Sequence, residues 1–387
     1  MLRNCRIQFD GQSPTWPRHP GQAHLMLRCD WPYDSTHLFD SNGIIRQWSN
    51  PLEALHWLST DARTHEWIGF LSYDLGRWFE NLPTIAQDDL HLPLFIFTTH
   101  QKDELTDSAS KSLAVSRYDL KSTFTRPAYE STVARAIAYI SAGDVFQVNL
   151  SQRFTAALPA PPKTIYDRLQ SQSPAAFGAF LQYDDFALIS NSPELFLRLT
   201  PDRRIITRPI KGTRPLQTGM ENELRNSIKD QAELHMIVDL ERNDLGRVCE
   251  IGSVKVIEPR AIEPHATVYH GVATIEGKLR QDVSFIDLLR ATFPGGSVTG
   301  APKVRAMQII DELEPLRRGP YCGAIGYLAS DGSIEFNLAI RTMIVKDNLV
   351  HIPVGGGIVA DSNPAAEYEE TLIKAQAMFA ALGIQTP

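Results

Sequence analysis

The sequence lacks the features that mark nucleic-acid-binding, zinc-binding and membrane-spanning proteins. Its 387 residues include 38 basic and 45 acidic side chains, a formal net charge of −7, without a long basic run that would neutralise a series of phosphates. The four cysteines are scattered, with none of the close pairs typical of zinc sites or redox motifs. No apolar run approaches membrane-spanning length, and the polar start differs from a signal peptide. We therefore expect a cytoplasmic protein that binds neither nucleic acid nor membrane.

The first part of the chain favours strands. Short apolar runs separated by Pro, Gly and Asp predict strands joined by turns up to about residue 100. The polar segment 100–127 is interpreted as an exposed connection with at most one strand. Helical spacing after Pro127 stops at Gly143, and an alternating strand follows.

The second part adds strands and helices in blocks. Residues 177–212 predict three or four antiparallel strands, and 220–246 predict one long helix that ends at a glycine. Because the blocks do not alternate strictly, the predicted class is α+β with large antiparallel sheets. The remaining predicted elements are helices at 283–293 and 304–316, strands at 321–329, 333–347 and 349–359, and a final helix at 364–383.

Two helices carry acidic residues at a spacing that places them on one face. Asp230 and Glu233 are three apart, as are Glu367 and Glu370, and Lys374 follows four residues later. Spacing alone favours solvated helix faces with a weak Glu–Lys pair. The alternative is that the two helices bring their carboxylates together around Mg²⁺, which prefers oxygen ligands and retained waters.

Other candidate positions are equally ambiguous from local sequence. The glycine-rich runs 293–303 and 353–361 could bring backbone N–H groups close to an anion, although neither has the spacing of a P-loop. Arg341 alternates with apolar neighbours on a predicted strand, and it could bind a carboxylate if it points inward. His270 is isolated, and an isolated histidine is more often a core residue than a catalyst.

Seven ordered segments nevertheless resemble one family. They are "SPELF", "PIKGTRP", "KDQAELHMIVDLERNDLGRVC", "LLRATFPGGSVTGAPKVRAMQIIDELEP", "YCGAIGYL", "NLAIRT" and "GGGIVADSNPAAEYEET". Together, over roughly residues 128–381, they resemble the chorismate-utilising enzymes. The resemblance implies two large antiparallel β-sheets packed together and flanked by helices, with the active site between them. Residues 1–125 would be the variable N-terminal region of this fold, and 126–387 the chorismate-binding catalytic region.

The resemblance also implies roles for individual residues. Glu233 and Glu370 would bind Mg²⁺, with Asp230 and Glu367 beside them, and the metal would bind the ring carboxylate of chorismate. Glu194 would be the general acid for the C4 hydroxyl, and His270 would lie near the ring. The residues implied in substrate binding are Arg341, Tyr321, Thr213, Gly355, Gly356, Gly357 and Lys374.

Lys211 distinguishes branches of the family. The motif P-I-K-G-T is typical of the aminodeoxychorismate branch, whereas anthranilate synthases usually have alanine at this position. The resemblance implies that Lys211 attacks C2 and that ammonia then enters at C4, which gives 4-amino-4-deoxychorismate on the path to p-aminobenzoate and folate. The alternatives are an anthranilate or isochorismate synthase and a catalytically silent scaffold for a glutaminase; the intact set of candidate residues disfavours the scaffold.

This chemistry sets requirements for two pKa values. The pKa of Lys211 must fall substantially, which burial and Mg²⁺ favour and the neighbouring carboxylates oppose. Glu194 must keep a proton near neutral pH, and desolvation against Leu195 or Phe196 would raise its pKa.

The resemblance finally implies a partner. Enzymes of this kind receive ammonia from a separate glutamine amidotransferase subunit, so we expect a weak heterodimer. Many relatives hold a tryptophan between the sheets by a Pro-aromatic motif. Ala176, Phe177 and Gly178 occupy the corresponding stretch here, which makes tryptophan binding doubtful.

Overall fold

The structure is a computed structural model that describes residues 2–9, 24–60, 64–99, 120–266 and 268–385. Helices in these ranges are α1 (Pro51–Thr60), α2 (Arg126–Ser141), α3 (Pro162–Gln172), α4 (Met220–Asn226), α5 (Ile228–Gly246), α6 (Phe285–Thr292), α7 (Lys303–Leu313) and α8 (Pro364–Leu382), with short 3₁₀-helices at Tyr73–Trp78 and Gly296–Val298. Strands are β1 (Leu2–Phe9), β2 (Met26–Cys29), β3 (Thr36–Asp40), β4 (Gly43–Trp48), β5 (Trp67–Leu71), β6 (Phe95–Thr99), β7 (Lys121–Ser122), β8 (Gln147–Ala157), β9 (Phe177–Tyr183), β10 (Phe186–Ser192), β11 (Leu195–Leu199), β12 (Arg204–Arg208), β13 (Ile210–Pro215), β14 (Lys255–Pro264), β15 (Val268–Lys278), β16 (Gly300–Ala301), β17 (Ala324–Leu328), β18 (Ile334–Leu338), β19 (Thr342–Lys346) and β20 (Leu349–Ile358).

The strands form two antiparallel sheets. The small sheet has the order β1-β9-β10-β19-β20-β8-β16, with β7 also paired to β8. The large sheet has the order β13-β15-β12-β11-β18-β17-β5-β6-β2-β3-β4, with β14 also paired to β15. Strand pairing between β1 and β9 and between β5 and β17 joins the N-terminal part of the chain to the rest of both sheets. The predicted α+β class with two large antiparallel sheets is confirmed.

The two sheets pack against each other through a shared apolar layer. Phe70 of the large sheet meets Phe186 of the small sheet with ring centroids 5.9 Å apart. Phe9 and Phe177 contact each other on neighbouring strands of the small sheet, and Phe9 also stacks on Tyr327 of the large sheet. Aromatic side chains therefore occupy part of the space between the sheets.

Helices cover the outer faces of both sheets. Tyr166 of α3 and Phe379 of α8 pack on the small sheet. Leu55 of α1, Leu234 of α5 and Leu289 of α6 belong to the core on the large sheet. Within the described ranges, no helix combines the length and apolar composition needed to cross a membrane.

Several predicted elements differ from the structure. Helix α1 interrupts a region predicted as strands and turns, and α3 was not predicted. Most of the predicted connection 100–127 lies outside the described residues; its last part contains the two-residue strand β7 and the start of α2.

The predicted single helix over 220–246 is two helices. Ser227 is extended, and its side chain caps α5 by accepting a hydrogen bond from the backbone N–H of Asp230 at 3.3 Å. Arg260 donates to the carbonyl oxygens of Leu224 and Arg225, which end α4. The break sets the start of α5 beside strand β13.

The predicted strand 333–347 is also two elements, β18 in the large sheet and β19 in the small sheet. The chain crosses between the sheets at 339–341, where Arg341 has a φ of 49°. Arg341 therefore lies in a turn between the sheets, and the prediction that it sits on a strand is wrong.

Candidate active site

Lys211 points inward, toward helix α5. Its Nζ lies 2.7 Å from Oε1 of Glu233, and only 11% of the lysine side chain is exposed. The register of β13 against β15 shifts between Ile210 and Thr213, which is the kind of irregularity that redirects a side chain. The lysine is therefore part of a buried cluster of charges.

The residue after the lysine must be small. Gly212 has a φ of 84°, and a Cβ there would lie 2.7 Å from Leu224 and 3.0 Å from Asp230. Both the backbone conformation and the lack of space favour glycine. This close approach allows β13 to pass directly against α4 and α5.

The amine of Lys211 is held in its charged form. Burial alone would lower its pKa, but the charge and hydrogen bond of Glu233, together with the charges of Glu194 and Glu370, outweigh burial and raise it. Without ligands the pKa of Lys211 is therefore raised, because the neighbouring carboxylates dominate. The fall in pKa that the reaction requires stays a prediction for the site with Mg²⁺ and substrate bound.

Two glycines of β20 bring the acidic residues of α5 and α8 close together. A Cβ at Gly356 would lie 3.4 Å from Oε2 of Glu367 and 3.6 Å from Oε1 of Glu370. A Cβ at Gly357 would lie 2.9 Å from Oε1 of Glu233. The helices that carry the predicted acidic pairs thus meet over the same short stretch of strand.

Each of the other predicted metal ligands already has a partner. Glu370 pairs with Lys374 at 2.7 Å, and this charge lowers the pKa of Glu370. Glu367 accepts a hydrogen bond from Ser362 Oγ at 2.6 Å, and burial raises the pKa of Glu367. Asp230 pairs with Arg214 at 3.1 Å.

Glu233 and Glu370 are chemically suitable as ligands of a magnesium ion. No group of three or more His, Cys, Asp or Glu side chains able to hold a metal occurs in the part of the chain that the structure describes. Mg²⁺ commonly uses only one or two carboxylates, with waters and substrate oxygens completing its octahedron. Glu233 and Glu370 are carboxylates from two helices beside the same pair of glycines, so they match that requirement.

Arg341 is a partly buried cation without a counterion among the described residues. Across the described ranges its guanidinium has no ion pair or hydrogen bond, and burial lowers its pKa. An unpaired buried charge is costly unless a ligand supplies its partner. Tyr321 is also buried, and the N–H of the next residue, Cys322, bonds to Ala339 beside the Arg341 turn. Arg341 is therefore suited to bind a carboxylate.

His270 and Thr213 form a pair across β13 and β15. Thr213 Oγ1 and His270 Nδ1 are 2.9 Å apart. Burial, followed by the positive charges of Arg341 and His265, lowers the pKa of His270 to about 3. The imidazole is therefore neutral near pH 7. It can donate or accept a hydrogen bond, but it does not carry the extra proton that a general acid would need.

Glu194 has the properties expected of an acid. Its Oε1 accepts a hydrogen bond from Ser297 Oγ at 2.5 Å, and the backbone N–H of Ile210 also donates to its carboxyl group. Burial raises its pKa to about 7, against the lowering effects of these hydrogen bonds and of Lys211 and Lys374. A substantial fraction of Glu194 is therefore protonated at neutral pH, as predicted.

Gln147 and Ser297 also belong to the site, although neither is predicted from the sequence. Gln147 is 1% exposed, its Nε2 is 3.4 Å from Oε1 of Glu233, and its Oε1 is buried without a hydrogen-bond partner among the described residues. Strand β8 carries several polar residues, so its sequence did not single out Gln147. Ser297 lies in the glycine-rich run 293–303, which was considered only for its backbone.

Comparisons with known proteins identify the family. The family model described as "chorismate binding enzyme" matches residues 26–380. The chain belongs to the chorismate binding enzyme family.

Its curated relatives include two kinds of enzyme at similar identity. Aminodeoxychorismate synthase component 1 of Klebsiella aerogenes is 42% identical over 338 residues, which cover 79% of this chain and 75% of the relative. Anthranilate synthase component 1 of Thermus thermophilus is 39% identical over 355 residues, 81% of this chain and 77% of the relative. Overall identity therefore does not select between the two reactions.

Solved structures support the fold. Anthranilate synthase component I from Streptococcus pneumoniae superposes with a TM-score of 0.79 at 29% identity, over 95% of this chain and 94% of that chain. The isochorismate synthase MenF from Escherichia coli superposes with a TM-score of 0.72 at 17% identity, over 93% of this chain and 88% of that chain.

Proposed function

We propose that the chain aminates chorismate at C4 with ammonia and releases 4-amino-4-deoxychorismate, the precursor of p-aminobenzoate and folate. The observation that carries this proposal is the buried Lys211 amine, 2.7 Å from Glu233 and within the same charged cluster as Glu194. An amine at this position offers a nucleophile that an alanine cannot.

Lys211 and Glu194 act together in the first half of the reaction. Lys211 must first lose its proton and its bond to Glu233, because only a neutral amine is a nucleophile. Its lone pair then forms a bond to C2, both ring double bonds shift by one position, and the C4–O bond breaks. Glu194 protonates the departing oxygen, so that water leaves.

The second half returns the enzyme to its starting state. Ammonia adds at C4, the ring double bonds shift back, and the bond from C2 to Lys211 breaks, which releases a neutral amine that takes up again the proton it had lost. Glu194, now ionised, accepts a proton from the ammonium nitrogen. The orphaned Oε1 of Gln147 offers an acceptor for an N–H group beside Glu233.

The other residues hold the substrate. Arg341 supplies a bidentate partner for one carboxylate of chorismate. Tyr321, Thr213, Lys374 and the backbone of Gly355, Gly356 and Gly357 complete the binding site, and neutral His270 lies beside Thr213. Glu233 and Glu370, with Glu367 and Asp230 beside them, would hold Mg²⁺, which withdraws charge from the ring carboxylate when bound.

Ammonia would come from a separate glutamine amidotransferase subunit in a weak complex in the cytoplasm. Free ammonium salts then replace this subunit in vitro.

The direct test is to incubate the purified chain with chorismate, Mg²⁺ and a high concentration of ammonium and to identify the product by mass and NMR. We expect 4-amino-4-deoxychorismate, which retains the enolpyruvyl group. Failure to aminate chorismate would contradict the proposal.

Anthranilate formation is the second candidate, because anthranilate synthases are similarly close relatives. The same assay distinguishes it, because anthranilate is aromatic and has lost pyruvate. Isochorismate, from water addition at C2, would have the mass of chorismate.

A further inference from the structure

A second buried carboxyl group lies behind the proposed general acid. Glu241 is on α5, two turns beyond Glu233, and is 8% exposed. Its Oε2 accepts a hydrogen bond from Thr207 Oγ1 at 2.9 Å. The proposed substrate and metal contacts leave this residue without a role.

One short turn connects Glu241 to Glu194. In the 3₁₀-helix Gly296–Val298, Ser297 donates its hydroxyl hydrogen bond to Glu194. A Cβ on the preceding residue, Gly296, would lie 3.6 Å from Cγ of Glu241. Consecutive residues of this turn therefore face the two acids.

The charges around the two acids do not neutralise both. Burial, then the negative charge of Glu194, raises the pKa of Glu241 to about 8; Asp244 adds to this effect, while Thr207 and Lys303 oppose it. Lys303 is bound to Asp244 at 2.6 Å.

Two lysines face Glu194 from the other side, and both already pair with other carboxylates. Lys211 is bound to Glu233, and Lys374 is bound to Glu370. Ionising Glu194 and Glu241 together would therefore place two negative charges in a dry region without a free cation among these neighbours.

We propose that Glu241 is a positioning residue for Glu194, and that the two carboxyl groups around the 296–297 turn behave as one coupled pair that keeps a proton available at Glu194. This inference rests on the proposed role of Glu194 as general acid. Interacting acids lose protons in steps that belong to the pair. Whenever Glu241 is ionised, its charge disfavours ionisation of Glu194, so the protonated acid persists to higher pH than a lone carboxyl group would.

The first test is the pH dependence of chorismate consumption by the full chain with Mg²⁺ and ammonium. In Glu241→Gln, the amide keeps an acceptor for Thr207 but cannot ionise. The activity of each protein is expressed as a fraction of its own maximum over the pH range. We expect this relative activity to be lower in the variant than in wild type at high pH, with a difference that grows to about tenfold near pH 9. A loss that is the same at every pH would indicate a purely structural role and overturn the inference.

Glu335→Gln is the matched control. Glu335 is a buried acid that pairs with Arg198 on the large sheet, and it has no part in the proposed chemistry. Its pH profile should keep the wild-type shape. The same shift in this control would also contradict the inference.

A second measurement does not depend on catalysis. The free energy of unfolding is measured for wild type, Glu194→Gln, Glu241→Gln and the double variant. We expect the effects of the two substitutions to be additive near pH 5 and non-additive near pH 9, where both acids ionise. Additivity at both pH values would overturn the inference. If wild type consumes no chorismate, the proposed function fails, and this cycle still decides whether the two acids are coupled.

Discussion

Lys211 Nζ lies 2.7 Å from Oε1 of Glu233, so a buried ion pair joins strand β13 to helix α5 at the centre of the site. The pair connects the residue proposed as nucleophile with a residue proposed as metal ligand. Its existence explains why the amine is charged in the absence of ligands. It also means that substrate and metal must rearrange this contact before the lysine can react.

Substitution of Glu194 tests the general acid. Glu194→Gln removes the acidic proton but keeps a hydrogen-bond acceptor for Ser297. We expect the kcat for chorismate consumption to fall by roughly 10²- to 10⁴-fold, with little change in KM. The ratio of wild-type to variant activity, in which the titrations of Lys211 and of ammonia cancel, should decline as pH rises through the pKa of Glu194 at about 7. A Glu194→Gln enzyme with the wild-type rate at every pH would contradict this role.

Substitution of Arg341 tests the carboxylate site. Arg341→Met removes a partly buried charge that has no partner in the described structure. We expect chorismate binding to weaken by about 2 kcal/mol or more, roughly 30-fold. Because the charge is unpaired without substrate, thermal unfolding of the free protein should not shift to lower temperature. Destabilisation together with unchanged affinity would indicate a structural role.

The two adjacent glycines of β20 provide a matched pair. A Cβ at Gly357 would lie 2.1 Å from Nε2 of Gln147 and 2.9 Å from Oε1 of Glu233, whereas a Cβ at Gly356 approaches nothing closer than 3.4 Å. We expect Gly357→Ala to reduce kcat/KM by roughly a hundredfold, through displacement of these groups, and Gly356→Ala to cost less. A larger loss of kcat/KM in Gly356→Ala than in Gly357→Ala would show that the spacing around Glu233 is not critical.

The buried ion pair between Arg318 and Glu314 is expected to contribute strongly to stability near the Ser297 turn. Arg318 pairs with Glu314 at 2.6 Å and donates to the carbonyl oxygens of Val298 and Asn149. Arg318→Met leaves Glu314 buried and unpaired, so we expect unfolding to become easier by about 3–5 kcal/mol in denaturant titrations. Arg242→Met, which breaks an exposed pair with Asp239, should change the free energy of unfolding by less than about 1 kcal/mol.

The sequence predicted the fold class and most helices because periodicity and glycine or proline boundaries report local structure. It could not predict the break at Ser227, since a serine in a helical pattern also fits inside a helix. It also missed the crossover at Arg341, because an alternating pattern continues through two strands that pair in different sheets.

The site was only partly accessible from the sequence. Spacing placed Glu233 and Glu370 on helix faces, but it could not show that both helices meet over Gly356 and Gly357. The pKa of Lys211 in the ligand-free protein could not be derived from the sequence for the same reason: its direction depends on how many carboxylates surround the amine in space.

The most direct test of the account is the rate of 4-amino-4-deoxychorismate formation by Lys211→Ala with chorismate, Mg²⁺ and saturating ammonium. If Lys211 is the nucleophile at C2, this rate falls at least about a hundredfold below wild type, because alanine has no amine to attack C2. If the variant forms the product at the wild-type rate, Lys211 is not the nucleophile and the proposed mechanism is wrong.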